Sequence, residues 1–69
     1  MDNWIPKIGD KVEVVTRDNG ILYGNVIWIE PPNEYHSGRL GVHIHKKHYE
    51  YDYEFWYSDI GRTVRYCKK

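Results

Sequence analysis

The sequence predicts an all-β domain built from five short strands. Residues 49–55, YEYDYEF, alternate strictly between aromatic and acidic side chains, and a period of two is typical of a strand whose two faces differ. No window of the chain shows the spacing of apolar residues that a helix requires. Turn-forming pairs such as Asn19-Gly20 and Pro31-Pro32 separate the apolar segments. The 69 residues are therefore expected to form a single domain, residues 1–69.

Turn signals set the limits of each predicted strand. Asn19-Gly20 predicts a hairpin, because both residues tolerate positive φ. Gly24 predicts a bend or bulge inside the second strand, since glycine offers no side chain to pack. Residues 30–38 are predicted to be the longest loop, and residues 58–61 a tight turn or one turn of 3₁₀ helix. The five predicted strands cover residues 11–16, 21–29, 40–45, 50–55 and 63–66.

The residue patterns of the third strand (40–45) and the fourth strand (50–55) predict the register in which these two strands pair. In this register every apolar residue meets an aromatic ring and each histidine meets a carboxylate. A slip of one residue would exchange the two faces, so agreement on both faces favours this pairing. Tyr51, Tyr53 and Phe55 are then predicted to lie in the core. With a turn over residues 46–49, the facing pairs are His45 with Glu50, Ile44 with Tyr51, His43 with Asp52, Val42 with Tyr53, and Leu40 with Phe55.

Charge is balanced overall and uneven along the chain. Ten Lys and Arg against ten Asp and Glu give a formal net charge of zero, so the whole chain shows no general attraction to phosphate. Residues 50–59 contain acids and no base, whereas residues 61–69 contain bases and no acid. Ordinary solvated surface charge accounts for this pattern, and a basic patch at the end of the chain is the alternative.

Composition also suggests how the fold is stabilised and where it works. Aromatic residues make up 16% of the chain, and they can fill a small core efficiently. Cys67 is the only cysteine, so no disulfide can form within these residues, and a lone thiol fits a reducing compartment. No apolar run approaches the roughly 18–20 residues of a membrane span, and residues 1–6 lack the features of a signal peptide. We expect a soluble protein, cytoplasmic or otherwise intracellular, with no membrane partner.

Three segments resemble those of a known group of folds. Residues 8–14 (IGDKVEV), 20–26 (GILYGNV) and 56–60 (WYSDI) are similar to the opening strand, the second strand and the exit of Tudor domains. Five strands with a tight first hairpin and a long second connection also resemble SH3-like barrels of the Tudor, KOW and CAP-Gly kind. The resemblance implies a small, five-stranded, partly open SH3-like barrel with a short 3₁₀ turn before the last strand.

The Tudor resemblance implies candidate cage residues. Tudor domains bind methylated lysine or arginine in an aromatic cage, where ring faces attract the cation. Tyr23 and Tyr53 match two cage positions, while Val15 and His45 stand where further aromatic residues would be expected. The alternative is that both tyrosines belong to the core or its rim.

Two other families resemble shorter stretches. CAP-Gly domains are similar at residues 37–42 (SGRLGV), but their Gly-Lys-Asn-Asp-Gly loop is absent. Small plasmid-type dihydrofolate reductases resemble residues 42–45, where His43 and His45 replace the glutamine and tyrosine of those enzymes. Neither activity is therefore carried over to this chain.

The histidines suggest two alternatives. His43 and His45 share a strand face, and such a pair can bind zinc with a third ligand from His48, Glu50 or Asp52. The facing carboxylates can instead form solvated pairs with the histidines, which would raise the histidine pKa and make the face a pH-sensitive contact surface. We favour the pairs, so no cofactor or metal is predicted, and His43, His45 and His48 stay weak metal candidates.

Function is predicted to be binding without catalysis. No activated nucleophile with a base and an orienting group is visible, so the chain is not expected to be an enzyme. Trp56 falls on the acidic side of the alternating strand, and an aromatic residue among acids suits a basic peptide or protein patch. We predict recognition through this acidic-aromatic face and the 30–38 loop. The candidate partner-binding residues are Trp56, Glu50, Asp52, Glu54, Tyr35 and Tyr23.

Nucleic-acid binding is the alternative function. The basic residues near the end of the chain are Arg62, Arg65, Lys68 and Lys69. KOW and Tudor-like barrels often bind nucleic acid, and these four cations would contact the phosphates. Assembly into a homo-oligomer also stays open, because small barrels often cover exposed strand edges in this way.

Overall fold

A computed structural model of the protein describes residues 4–46 and 49–67, and at Tyr49 only the backbone. The all-β prediction is confirmed, and each strand boundary lies within one residue of its predicted position. The predicted 3₁₀ turn is also present, beginning one residue earlier than expected. In chain order the elements are β1 (Lys11–Val15), β2 (Ile21–Glu30), β3 (Arg39–Lys46), β4 (Tyr49–Trp56), a 3₁₀ turn (Tyr57–Asp59) and β5 (Val64–Tyr66).

The five strands form one antiparallel sheet in the order β4-β3-β2-β1-β5. Within the described residues this sheet is open and is not closed into a barrel, because β4 and β5 are its two edges. β5 is only three residues long and pairs with β1 alone among the described strands. The expected barrel shape therefore differs from the open sheet that is observed.

The predicted register of β3 and β4 is confirmed residue for residue. His45 lies opposite Glu50, and His43 lies opposite Asp52. The ladder continues to Lys46 opposite Tyr49, so the strands run one residue further into the predicted turn. Residues 47 and 48 of that turn lie outside the described residues. The pairing places the histidines and carboxylates on the outer face of the sheet, away from the core.

A bulge in β2 lies at a different place from the predicted one. The register shifts between Val26 and Trp28, whereas Gly24 pairs regularly with both neighbouring strands. A Cβ atom at Gly24 would overlap the carbonyl oxygen of His43, so glycine is needed there for the close approach of β3. The bulge turns Trp28 to the outer face, opposite Gly41.

The core lies on one face of the sheet and is entirely apolar among the described residues. Tyr51 and Phe55 pack against it, but Tyr53 is 37% exposed, so the prediction that Tyr53 belongs to the core is wrong. The Tyr53 ring contacts the rings of Tyr51 and Phe55 on the same strand. The buried core residues are Val12, Val14, Leu22, Val26, Leu40, Val42, Ile44 and Val64.

No described helix has the length and the apolar character needed to cross a membrane.

Candidate functional site

The outer face of β4 carries the predicted acidic-aromatic surface. Strand alternation brings Glu50, Asp52, Glu54 and Trp56 to the same side of the sheet, because successive strand side chains point to opposite faces. Trp56 is 54% exposed at the end of this row. Its position in the alternation therefore leaves a large ring in solvent beside the carboxylates. The four residues are placed together as the sequence predicts.

Two histidines of β3 meet two of these carboxylates. Nδ1 of His43 lies 2.6 Å from a carboxylate oxygen of Asp52, and Nε2 of His43 lies 3.4 Å from a carboxylate oxygen of Glu50. Nδ1 of His45 lies 3.8 Å from the other oxygen of Glu50. The two imidazole rings contact each other edge to face, with centroids 4.7 Å apart. We call these four residues the histidine end of the face.

The Asp52 carboxylate has an electrostatic effect on His43. Their hydrogen bond raises the pKa of His43 above its ordinary value, partial burial opposes this shift, and the negative charges of Asp52 and Glu50 add to it. The sequence predicted that a facing acid would raise the histidine pKa, and for His43 this prediction is confirmed.

The opposite end of the face is organised by Arg39, which the sequence reasoning did not single out. Its guanidinium group lies 2.7 Å from Glu30 and 2.6 Å from Glu54, and 5.7 Å from the centroid of the Trp28 ring. The hydrogen bond and the charge of Glu30 raise the pKa of Arg39 further. Trp56 pairs with Arg39 across the ladder. We call these five residues the arginine end of the face.

The position of the Trp28 ring at this end is explained by the small size of Gly41. A Cβ atom at Gly41 would overlap the Trp28 ring, so the ring lies across the glycine. The missing side chain makes room for the ring, and Arg39 contacts it by a cation–π interaction. Trp28 is thus largely committed to packing within the face. The signal that sequence reasoning lacked was the bulge, which sets the pairing of Glu30 with Arg39.

The loop after β2 is ordered by its own hydrogen bonds. The side-chain oxygen of Asn33 accepts bonds from the backbone N–H groups of Tyr35 and His36, at 2.7 and 2.9 Å. The loop begins and ends at the arginine end, where the backbone N–H of Tyr57 donates to the carbonyl oxygen of Gly38. Tyr35 is 81% exposed in this loop. An exposed aromatic ring is therefore available on the connection next to Trp56.

Tyr23 lies at the other end of the face. It is 51% exposed and pairs with His45 across the β2–β3 ladder. It borders a depression of about 470 Å³ whose further lining includes His45, Asn25, Lys11 and Cys67. The structure therefore places Tyr23 at the histidine end and Trp56 at the arginine end, with Asp52 and Glu54 between them along β4.

The basic residues predicted for nucleic-acid binding are only partly described. Arg65 lies on the outer face of β5, and its guanidinium group is 3.4 Å from Glu13 on the neighbouring strand. Arg62 is exposed in the turn before β5. Lys68 and Lys69, like the metal candidate His48, lie outside the described residues. Of the described cations of this group, Arg65 is paired with Glu13 on the sheet and Arg62 lies in a turn, so the two do not form a continuous basic stripe.

Comparisons of the chain with protein-family models, with characterised proteins and with solved structures found no match.

Proposed function

We propose that this protein is a non-catalytic binding module for a basic peptide or a basic protein segment. The observation that carries the proposal is Trp56, which is 54% exposed at the end of a row of carboxylates on an edge strand. A large exposed aromatic residue among acids can bury its ring against the aliphatic part of a lysine or arginine, while the carboxylates pair with the cation.

The local charge supports a basic partner. At the arginine end, Arg39 is shared between Glu30 and Glu54, so two carboxylates meet one guanidinium group. Along β4 itself, the outer face carries the carboxylates of Glu50, Asp52 and Glu54 and no basic side chain. The outer face of β4 is therefore net negative, and complementary charge favours encounter with a cationic segment.

The 31–38 loop supplies a second contact beside Trp56. Hydrogen bonds at Asn33 order the loop before any partner binds, which lowers the entropic cost of binding. Tyr35 at 81% exposure offers a second ring with two rotatable side-chain angles. We therefore assign Trp56 and Tyr35 as the anchors, with Glu54 of the arginine end and Asp52 of the histidine end as the charged contacts.

The SH3-like arrangement is also part of this proposal. A meander of four strands, followed by a 3₁₀ turn and a short fifth strand that returns to β1, supports it. Such a fold hosts many unrelated functions, so it adds little to the choice of partner. The choice rests on the chemistry of the face.

The test is binding of defined peptides to the purified chain. A library of short lysine- and arginine-containing peptides is compared with its aspartate- and glutamate-containing counterpart by fluorescence anisotropy. We expect only basic peptides to bind, and Trp56→Ala to weaken that binding at least about tenfold, as for an interface hot spot. Ile8→Ala is the matched control, because Ile8 is 66% exposed on the segment before β1.

Two charge-reversal variants distinguish binding at a specific site from general electrostatic attraction. Glu54→Lys should abolish binding of basic peptides, whereas Asp18→Lys, which makes the same change in the exposed β1–β2 loop, should leave most of it. Circular dichroism checks that each variant stays folded. Equal losses from both charge reversals would show that only the net charge matters, which contradicts a site on β4.

Nucleic acid is tested in the same assay. If DNA or RNA binds while basic peptides do not, the proposal is overturned in favour of the basic residues. Such binding would weaken steeply with salt, with a log-log slope of about −0.9 per phosphate contacted on duplex DNA. It would also weaken in Arg62→Ala and Arg65→Ala.

A further inference from the structure

The β3–β4 ladder gathers three metal-ligating side chains at the histidine end. A ring nitrogen of His43, a ring nitrogen of His45 and a carboxylate oxygen of Glu50 all lie within 4.8 Å of one another. His43 and His45 are two residues apart on one strand face, and Glu50 lies opposite His45 on the next strand. Regular strand pairing holds all three backbones, so only side-chain rotations remain to be set when a ligand binds.

Asp52 determines which nitrogen of His43 is free to bind. An ionised carboxylate can only accept hydrogen bonds, so in the neutral imidazole the proton sits on Nδ1, 2.6 Å from Asp52. The lone pair is then on Nε2, the atom that faces Glu50 at 3.4 Å. Histidines that bind metal ions usually donate their other ring N–H to a carboxylate in this way, which fixes the ring and raises its basicity.

We propose that the histidine end is a zinc-binding site. The ligands are Nε2 of His43, Nδ1 of His45 and the carboxylate of Glu50, and Asp52 is a positioning residue that orients His43. Tetrahedral zinc with bonds of about 2.0–2.1 Å places its ligand atoms about 3.3 Å apart. The separation of Nε2 of His43 from Glu50 is 3.4 Å, which already meets this requirement.

The remaining adjustment falls on mobile groups. The side chains of His45 and Glu50 are 57% and 63% exposed, so they can rotate inward by the ångström or so that closure needs. Imidazole nitrogen with one carboxylate is a donor set that zinc prefers over calcium or magnesium, which favour all-oxygen sites. Three protein ligands leave the fourth position open to water or to a group of a partner.

The surrounding groups are compatible with a cation. Across β2, Tyr23 faces His45 and Asn25 faces His43, and the basic residue Lys11 lies one strand further away, opposite Asn25. Glu50 and Asp52 together bring two negative charges to the site of a doubly charged ion. The site is independent of the anchors Trp56 and Tyr35, so it can exist whether or not the proposed peptide binding holds.

Isothermal titration of zinc chloride into the EDTA-treated full chain tests the proposal. We expect one zinc per chain, and His43→Ala, His45→Ala and Glu50→Gln each to weaken binding by at least about tenfold. His36→Ala is the matched control, because His36 lies in the 31–38 loop, and its binding curve should equal that of the unaltered chain. The proposal is overturned if the unaltered chain binds no zinc, or if the His43→Ala and His45→Ala variants bind zinc as tightly as the unaltered chain.

Nitrogen-15 NMR of the imidazoles identifies the ligand atoms directly. On addition of zinc, Nε2 of His43 and Nδ1 of His45 should move to the shifts of metal-bound nitrogen, with the His36 signals unchanged. Zinc that instead shifts His36, or neither of the paired histidines, contradicts the assignment. The backbone spectrum shows whether each variant is folded, and His43→Gln and His45→Gln replace any alanine variant that is not.

A separate variant tests the role of Asp52. Asp52→Asn should weaken zinc binding about 10–100-fold while leaving the same ligand atoms, and Asp52→Glu should restore part of the affinity. In Asp52→Asn the metal-free His43 should also lose its preference for the Nδ1–H tautomer, which is visible in the same NMR spectrum. An unchanged tautomer together with unchanged affinity would overturn the positioning role.

Discussion

The two ends of the outer face share one pattern on β4 and differ in what β3 places opposite it. At the histidine end, Glu50 and Asp52 meet imidazoles, whose charge depends on pH. At the arginine end, Glu54 meets Arg39, whose charge is permanent. The same alternation of acids and aromatics therefore produces a cluster of imidazoles and carboxylates at one end and a fixed ion-pair cluster beside an exposed tryptophan at the other.

The solvent exposure of the charged groups is a further point of comparison between the two ends. The carboxylates that β4 contributes to the two ends, Glu50, Asp52 and Glu54, are more than half exposed, so neither cluster contributes much to stability by itself. What holds both ends in place is the common core on the other face of the same strands. Changes to the shared core are therefore expected to have larger effects than changes to the groups that distinguish the two ends.

The largest expected effect is on the shared core. Leu40 and Ile44 are fully buried beneath the arginine end and the histidine end, opposite Phe55 and Tyr51. Leu40→Ala and Ile44→Ala should each lower the free energy of unfolding by about 2–5 kcal/mol, which removes most of the stability of so small a domain. Urea denaturation measures this loss. A loss below about 1 kcal/mol for one of them would show that its end is not supported by the common core.

The next largest loss of stability is expected from replacing Gly24 or Gly41, whose lack of a side chain lets neighbouring groups approach closely. Gly24→Ala would place a methyl group against the backbone carbonyl of His43, whereas Gly41→Ala would place it against the Trp28 side chain. A side chain can move and a paired backbone cannot, so we expect Gly24→Ala to cost more, with both in the range of about 1–3 kcal/mol or above. Thermal unfolding ranks the two variants. A greater loss at Gly41 would reverse this order.

The third prediction separates the ends by pH. The folded pKa of His43 is raised, so its pairing contributes stability in full below about pH 6.5, the ordinary histidine pKa, and the contribution is lost as pH rises through the folded pKa. The groups that face His43 are Asp52, Glu50 and His45, with Asn25 across β2. In metal-free protein, NMR titration should show His43 above 6.5, and Asp52→Asn should lower it. A value at or below 6.5 in the unaltered chain would contradict the pairing.

The smallest effect is expected at the arginine end. Arg39→Ala removes contacts with Glu30 and Glu54 that are largely solvated, so the unfolding midpoint should fall by less than in Gly41→Ala. The difference from the unaltered chain should shrink in high salt, because screening weakens exposed ion pairs. Arg17→Ala in the β1–β2 loop is the control. A loss that does not depend on salt would indicate that packing of Arg39 on Trp28 matters more than its charge.

Sequence reasoning succeeded where two independent patterns agreed. The β3–β4 register follows from matching apolar residues with aromatic ones on one face and histidines with acids on the other, and a one-residue slip breaks both matches. The same register places His43 opposite Asp52 and His45 opposite Glu50. The positions of the loops followed from Asn19-Gly20 and Pro31-Pro32 for local reasons of backbone conformation.

It failed where a residue's environment depends on distant strands. The bulge before Trp28 has no local mark in the sequence, and it decides that Glu30 pairs with Arg39. Gly24 resembled a bulge position and is instead a place of close strand approach. Tyr53 continues an aromatic pattern that predicts burial, yet it is 37% exposed and its ring contacts those of Tyr51 and Phe55 on its own strand.

By itself the sequence determined the five strands, their turns and the alternation that gives β4 an acidic face, because these follow from the conformational preferences of neighbouring residues. Tertiary structure alone decided which carboxylates meet Arg39, at what distances the predicted histidine–acid pairs lie, and which aromatic rings remain in solvent. Those outcomes depend on the bulge in β2 and on the position of β4 at the sheet edge. Both features arise from pairing between strands. A local sequence pattern predicts such pairing only where the residues on both faces of the sheet favour the same register.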